Sequence, residues 1–156
     1  MGRIDMTPER LLSASDQELA ALSDLCLRSK AYWGYDADFL DACREELTVT
    51  HADLGARTAV IRKGAGFIGV ATVTIDQGAA QLDKLFVDPD AIGSGAGRAL
   101  LLWAIAQARS GKARIMNIDA DPGAEAFYAY MGAIRIGSVA STAISGRMLP
   151  LMQIAL

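Results

Sequence analysis

One histidine, His51, and two cysteines, Cys26 and Cys43, are too few for the common metal and disulfide architectures. A histidine-rich metal site is excluded, and no metal is expected. Both cysteines sit in helical patterns and read as small buried hydrophobes. Charge is modest as well: 21% of the residues are charged and the net charge is −3. No Lys/Arg cluster occurs, so the basic stripe of a nucleic-acid binder is missing. No apolar run is long enough to span a membrane. Residues 1–10 lack the apolar core of a signal peptide, and a cytoplasmic protein is the expectation. There is no internal repeat, low-complexity tract or linker. With 156 residues, 52% of them hydrophobic, the chain is expected to form a single domain over 1–156.

What the chain does have is concentrated in residues 82–103. A strand-like run over 82–87 ends at Asp88-Pro89, and Gly93, Gly95 and Gly97 then lead into a helix expected to begin near Arg98. Glycines at a helix start let backbone approach a ligand closely. The first amides of the helix have no intrahelical partner, and the helix dipole adds positive potential there. Together these make a phosphate cradle.

Three glycine-rich designs compete for this loop. A nucleotide P-loop needs Gly-Lys followed by Ser or Thr, whereas Gly97 is followed by Arg98-Ala99. A dinucleotide fingerprint needs Gly-x-Gly-x-x-Gly, and no start position in this loop satisfies it. The third is the acyl-CoA loop Gln/Arg-x-x-Gly-x-Gly/Ala of the GNAT superfamily of N-acetyltransferases. Ile92-Gly93-Ser94-Gly95-Ala96-Gly97 resembles it at both small positions and departs from it at Ile92.

A second motif follows a short strand over 115–119. Asp121-Pro122-Gly123-Ala124-Glu125-Ala126-Phe127-Tyr128-Ala129-Tyr130-Met131-Gly132-Ala133 has an N-cap residue, a first-turn proline and a terminal glycine. It resembles the GNAT pattern Asn-x-x-Ala-x-x-Phe-Tyr-x-x-x-Gly-Phe, with Asp121 for the Asn and Ala133 for the last Phe. Phe127 reads as a core aromatic.

Hydrophobic periodicity supplies the remaining elements. It predicts a strand over 10–15, a helix capped at Ser15 or Asp16 and running to about Lys30, and an aromatic connector over 31–35. A second helix over 36–47 and a hairpin of 56–62 with 66–75 follow. Then come a strand over 79–87, a helix over 98–109, the 115–119 strand, a helix over 122–131, and strands over 133–138 and 148–155. This order is similar to that of the GNAT fold. The resemblance implies an α/β (α+β) architecture, with a central mixed, mostly antiparallel sheet flanked by about four helices.

The resemblance also implies roles. Acetyl-CoA is the acyl donor, with its pyrophosphate on Gly93, Ser94, Gly95, Ala96, Gly97 and Arg98. Its pantetheine arm pairs with Leu85, Phe86 and Val87, one of whose amides polarises the thioester carbonyl. Asp121 lies near that arm, or serves simply as an N-cap. Tyr128 is the general acid for the departing thiolate. Asp83, two residues before Leu85, is a candidate general base, and His51 is a second. The acceptor site is expected around Lys30, Tyr32, Trp33, Tyr35 and Asp36, with Arg147 available to a carboxylate.

The function expected is acetyl transfer to a primary amine of a small metabolite or amino acid. A catalytically silent acyl-CoA-binding regulatory module is an alternative, since Ile92 and Asp121 occupy substituted motif positions while Tyr128 is intact. A peptide or protein N-acetyltransferase is another. Exposed sheet edges make a homodimer plausible.

Overall fold

In the computed structural model, which describes residues 5–156, strands β1 (Glu9–Arg10), β2 (Arg57–Lys63), β3 (Gly66–Asp76), β4 (Ala79–Val87), β5 (Ile115–Asp119), β6 (Ile134–Ala140) and β7 (Met148–Ala155) form one sheet. Their order is β1-β2-β3-β4-β5-β7-β6, and only β4 and β5 run parallel. The helices are α1 (Asp16–Ala31), α2 (Ala37–Ala42), α3 (Arg44–Leu47), α4 (His51–Gly55), α5 (Ala96–Ser110) and α6 (Glu125–Tyr130). The mixed, mostly antiparallel sheet is the expected one.

Helix α1 starts where Ser15 and Glu18 form a reciprocal capping box. Its buried Leu19, Leu22, Leu25 and Cys26 pack with Val60 and Val70 on one face of the sheet. Burial pushes the Cys26 thiol up to about 12, so it stays protonated and packs as a hydrophobe. Helix α5 covers the opposite face, with Leu101, Ala104, Ile105 and Ala108 against Val73, Leu82, Met116 and Met152. Covered on both faces, β3 is buried continuously from Phe67 to Val73 rather than alternating.

Six helices stand where about four were expected. The segment expected as one helix over 36–47 is two, α2 and α3, hinged at Cys43. The Cys43 amide donates to both Phe39 O and Leu40 O, at 3.1 and 3.2 Å. This tightens the last turn of α2 and ends it at Cys43. His51 opens the further short helix α4. At the N-terminus, strand β1 is two residues long because Leu11 turns into the core and Ser15 begins the cap of α1. The helix expected over 122–131 begins as a 3-10 turn at Pro122–Ala124 that Asp121 caps, and α6 follows it.

Two features of β4 shape the site. Its parallel pairing with β5 covers only Ala79↔Ile115 to Gln81↔Asn117, so the two strands part beyond that point. The backbone of Leu85, Phe86 and Val87 is paired with β3 and faces no strand on its other side. A bulge also interrupts β4. Val73 pairs with Leu82 and Thr72 with Lys84, leaving Asp83 as the extra residue. Bulges re-aim side chains and increase local twist.

Candidate active site

The gap between β4 and β5 opens into a cavity of about 420 Å³. Its lining includes Leu85, Phe86 and Val87 from β4, Gly93, Gly95, Gly97 and Arg98 from the glycine loop, and Tyr128 from α6.

Helix α5 begins at Ala96, two residues earlier than expected, because Gly95 adopts the left-handed conformation (φ +93°) and serves as its N-cap. Gly93 is left-handed too, at φ +83°. The loop therefore turns twice in a way L-residues rarely permit. The amides of Gly93, Gly95, Gly97 and Arg98 find no protein acceptor among the described residues. All four residues face the cavity, so the donors form a concave set at a positive helix end. Ser94 and Ala96 are placed differently. The Ala96 amide donates to Ser94 Oγ at 3.3 Å, and neither residue is on the cavity wall.

Tyr128 is buried, and its ring meets Phe127 edge-on at 5.2 Å. Every fully buried side-chain polar atom among the described residues has a partner. The Tyr128 hydroxyl makes no such bond, so it opens into the cavity it lines. Burial, with a further push from the Asp121 charge, raises the phenol far above its ordinary value and keeps it protonated.

Asp83 reaches the same cavity from the β4 bulge. The Thr74 hydroxyl donates to its carboxylate at 2.8 Å. Desolvation, together with the nearby Asp53 and Asp119 charges, holds Asp83 above the usual carboxylate value despite that bond. Asp119, at the end of β5, also lines the cavity. The nearby cations are engaged elsewhere: Lys84 with Asp53 at 3.4 Å, and Lys30 with Asp121 at 2.7 Å. Neither Asp83 nor Asp119 forms an ion pair among the described residues, although Lys84 lowers Asp83 somewhat through its charge.

Of the residues expected on the acceptor side, Lys30 and Trp33 line the cavity. Tyr32 does not; it is exposed and edge-on to Trp33 at 5.2 Å. Asp36 caps α2 through the Phe39 amide at 2.8 Å. Tyr35 and Arg147 stand behind the wall, bonded to each other and gathered at Asp121. His51 is far from this arrangement: it pairs with Asp16 on the surface at 3.1 Å and does not line the cavity. Asp119 was not among the residues expected in the site. The signal for it lies in the strand pattern, where Asn117 and Asp119 are the polar alternates of an otherwise apolar strand. Its relevance needs the parallel register, which puts Asp119 as far beyond Asn117 as Asp83 is beyond Gln81.

The family description "Acetyltransferase (GNAT) domain" matches residues 14–143. The chain belongs to the GNAT acetyltransferase family. No curated protein sequence matches it. Among solved structures, a GCN5-related N-acetyltransferase from Rhodopseudomonas palustris is similar at 20% identity with a TM-score of 0.75, covering 99% of this chain and 100% of that one. The PaiA N-acetyltransferase of Thermoplasma acidophilum, solved with coenzyme A, is similar at 16% identity with a TM-score of 0.77, covering 96% and 99%. An IAA acetyltransferase from Bacillus cereus is similar at 15% identity with a TM-score of 0.63, covering 96% and 99%. At these identities the structural likeness speaks to the fold, and the domain match makes this GNAT chain an acyltransferase. No described helix is long and apolar enough to cross a membrane.

Proposed function

We propose that this GNAT protein transfers the acetyl group of acetyl-CoA to the primary amine of a small acceptor, a metabolite or an amino acid, by direct attack. The observation that carries this reading is the set of four unpaired amides, Gly93, Gly95, Gly97 and Arg98, in one cavity with the Tyr128 hydroxyl. Those amides suit a pyrophosphate, and the unpaired edge of β4 at Leu85, Phe86 and Val87 suits an amide-bearing arm laid along it. Acetyl-CoA supplies an acyl thioester there. The coenzyme A bound to the similar Thermoplasma enzyme supports the same donor.

Each residue then has a task. Asp83 takes the proton of the acceptor ammonium, so that the amine nitrogen is free to bond the thioester carbon. A backbone amide of Leu85, Phe86 or Val87 donates to the carbonyl oxygen as negative charge grows on it. Tyr128 gives its proton to the sulfur as the carbon–sulfur bond breaks and the electron pair leaves with sulfur, and the second proton of the acceptor nitrogen, released as the amide forms, returns through solvent to the phenolate. Arg98 reaches toward phosphate from the first turn of α5, and Asp119 adds to the pull on the incoming cation.

The test is a free-thiol assay of CoA release from acetyl-CoA with a panel of amines, amino acids and basic peptides. Acceptor-dependent release with a small amine is the expected result. Release only with peptides would replace the small acceptor by a protein one. Tight acetyl-CoA binding without release for any acceptor would favour a silent regulatory module.

The loop makes a separate prediction. At Gly95 a Cβ would meet nothing within 4 Å, so a side chain there strains only the backbone. The cost of forcing an L-residue left-handed is about 1–2 kcal/mol. Gly95→Ala is therefore expected to lower Tm by roughly 2–8 °C. It is also expected to weaken acetyl-CoA binding by calorimetry, because relieving the strain turns the amides out of register. Unchanged binding in a destabilised variant would take the cradle away from the donor.

A further inference from the structure

Asp121 joins chain segments that are distant in sequence. Its Oδ2 accepts from Lys30 Nζ at 2.7 Å and from the Tyr35 hydroxyl at 2.9 Å. Arg147 Nη2 lies 3.6 Å from the same oxygen and donates to the Tyr35 hydroxyl at 2.6 Å. Oδ1 accepts from the Gly123 amide at 2.9 Å, which holds the turn before α6. One carboxylate thus ties together the end of α1, the connector before α2, the turn after β5 and the segment before β7.

The surroundings stiffen this knot. The Arg147 guanidinium lies over the Tyr35 and Phe39 rings, 5.0 and 4.8 Å from their centroids, and those rings stack at 4.0 Å. Trp33 packs so closely on Gly123 that a Cβ there would meet the indole at 2.7 Å. The side chains of Lys30, Arg147 and Asp121 are only 15%, 17% and 11% exposed. Burial pushes the Asp121 carboxyl up, but the Lys30 bond, the Gly123 amide and the Tyr35 hydroxyl outweigh it and hold it below the ordinary value.

We propose that Asp121 is a positioning residue for the acceptor: its charge holds Lys30 in the cavity wall and gathers Tyr35 and Arg147 behind it, and donor binding does not depend on it. The role of this wall as the acceptor side rests on the transferase reading above. Without the negative charge, Lys30 and Arg147 would be two largely covered cations with no counter-ion, and the segments carrying them would separate. Asn at this position keeps an acceptor for the Gly123 amide and so spares the turn, which isolates the charge.

The experiment compares the full chain with Asp121→Asn and Tyr35→Phe by hydrogen exchange, acetyl-CoA calorimetry and, with any acceptor found, steady-state kinetics. In Asp121→Asn, exchange over residues 30–39 and 141–147 is expected to quicken about tenfold, the scale of losing one charged hydrogen bond. Exchange over residues 93–105 and the acetyl-CoA Kd should stay within about twofold, while the acceptor KM rises about tenfold. Tyr35→Phe leaves the charges in place and should show a smaller change in the same segments. It also serves if Asp121→Asn fails to fold. Acetyl-CoA binding weakened tenfold, with exchange over 30–39 unchanged, would make Asp121 a donor contact and overturn the proposal. So would loosening spread evenly through the chain in both variants. If the parent releases no CoA with any amine, the transferase reading fails on its own, and the exchange and calorimetry still decide whether Asp121 holds this wall.

Discussion

Tyr128→Phe is expected to bind acetyl-CoA as the parent does and to turn over roughly 10²- to 10⁴-fold more slowly, the range of a removed general acid. The argument rests on placement. Tyr128 is buried against Phe127, and its hydroxyl opens into the cavity that the glycine loop and β4 also line. Removing one oxygen from a ring held by packing leaves the shape of the wall intact, so Tm and the acetyl-CoA Kd should move little. The phenol is held well above its ordinary value and stays protonated throughout the working pH range. As the proposed acid it would donate to sulfur and put no ionisation of its own into the pH–rate profile below neutrality. Single-turnover measurement of CoA release separates the chemical step from product release. A Phe variant that retains full kcat would remove Tyr128 from the mechanism and leave protonation of the thiolate to solvent.

The two motifs were legible because each is local. The glycine loop announced a helix start with free amides within six residues, although the helix begins two residues early and the Ser94 and Ala96 amides are bonded. The Phe127-Tyr128 pair follows a cap and a first-turn proline. The succession of strands and helices along the chain was legible from alternation, helical spacing and turn residues. The break at Cys43 was not, because both α2 and α3 fit one helical period and only the doubled hydrogen bond of its amide separates them. Long-range register was also hidden. Asp121 resembled a motif Asn and an N-cap, and its neighbours Lys30, Tyr35 and Arg147 are 91, 86 and 26 residues away in the chain. Nothing local indicates that these four side chains meet, so a role suggested for Asp121 by motif position alone missed its ionic partners. Arg147, offered by the sequence as available to a substrate carboxylate, bonds the Tyr35 hydroxyl and lies 3.6 Å from Asp121.

Asp83→Asn should show the opposite signs in activity and stability. As the proposed base, Asp83 must be ionised to accept the ammonium proton, and its loss is expected to lower kcat/KM by about 10²-fold or more at neutral pH. The fold holds its carboxyl above the ordinary value of 3.8, chiefly through desolvation, with the Asp53 and Asp119 charges adding to it. A raised folded-state pKa means that folding favours the protonated form. The stability this provides is complete below the unfolded pKa and is lost as pH rises through the folded one. At neutral pH the ionised Asp83 thus weighs against folding, whereas a neutral amide keeps an acceptor for the Thr74 hydroxyl. The Asn variant should therefore have a Tm equal to or above that of the parent at pH 7, and lose that advantage near pH 4. In the parent, kcat/KM should fall on the acid side as Asp83 takes up a proton, at a pH above the ordinary carboxylate value, and this limb should be absent from the residual activity of the variant. An acid limb that persists in Asp83→Asn but disappears in Asp119→Asn would move the base across the gap to β5. A base at the bulge would have a physical reason: the extra residue re-aims its side chain, and Asp83 lines the cavity that opens where β4 and β5 part.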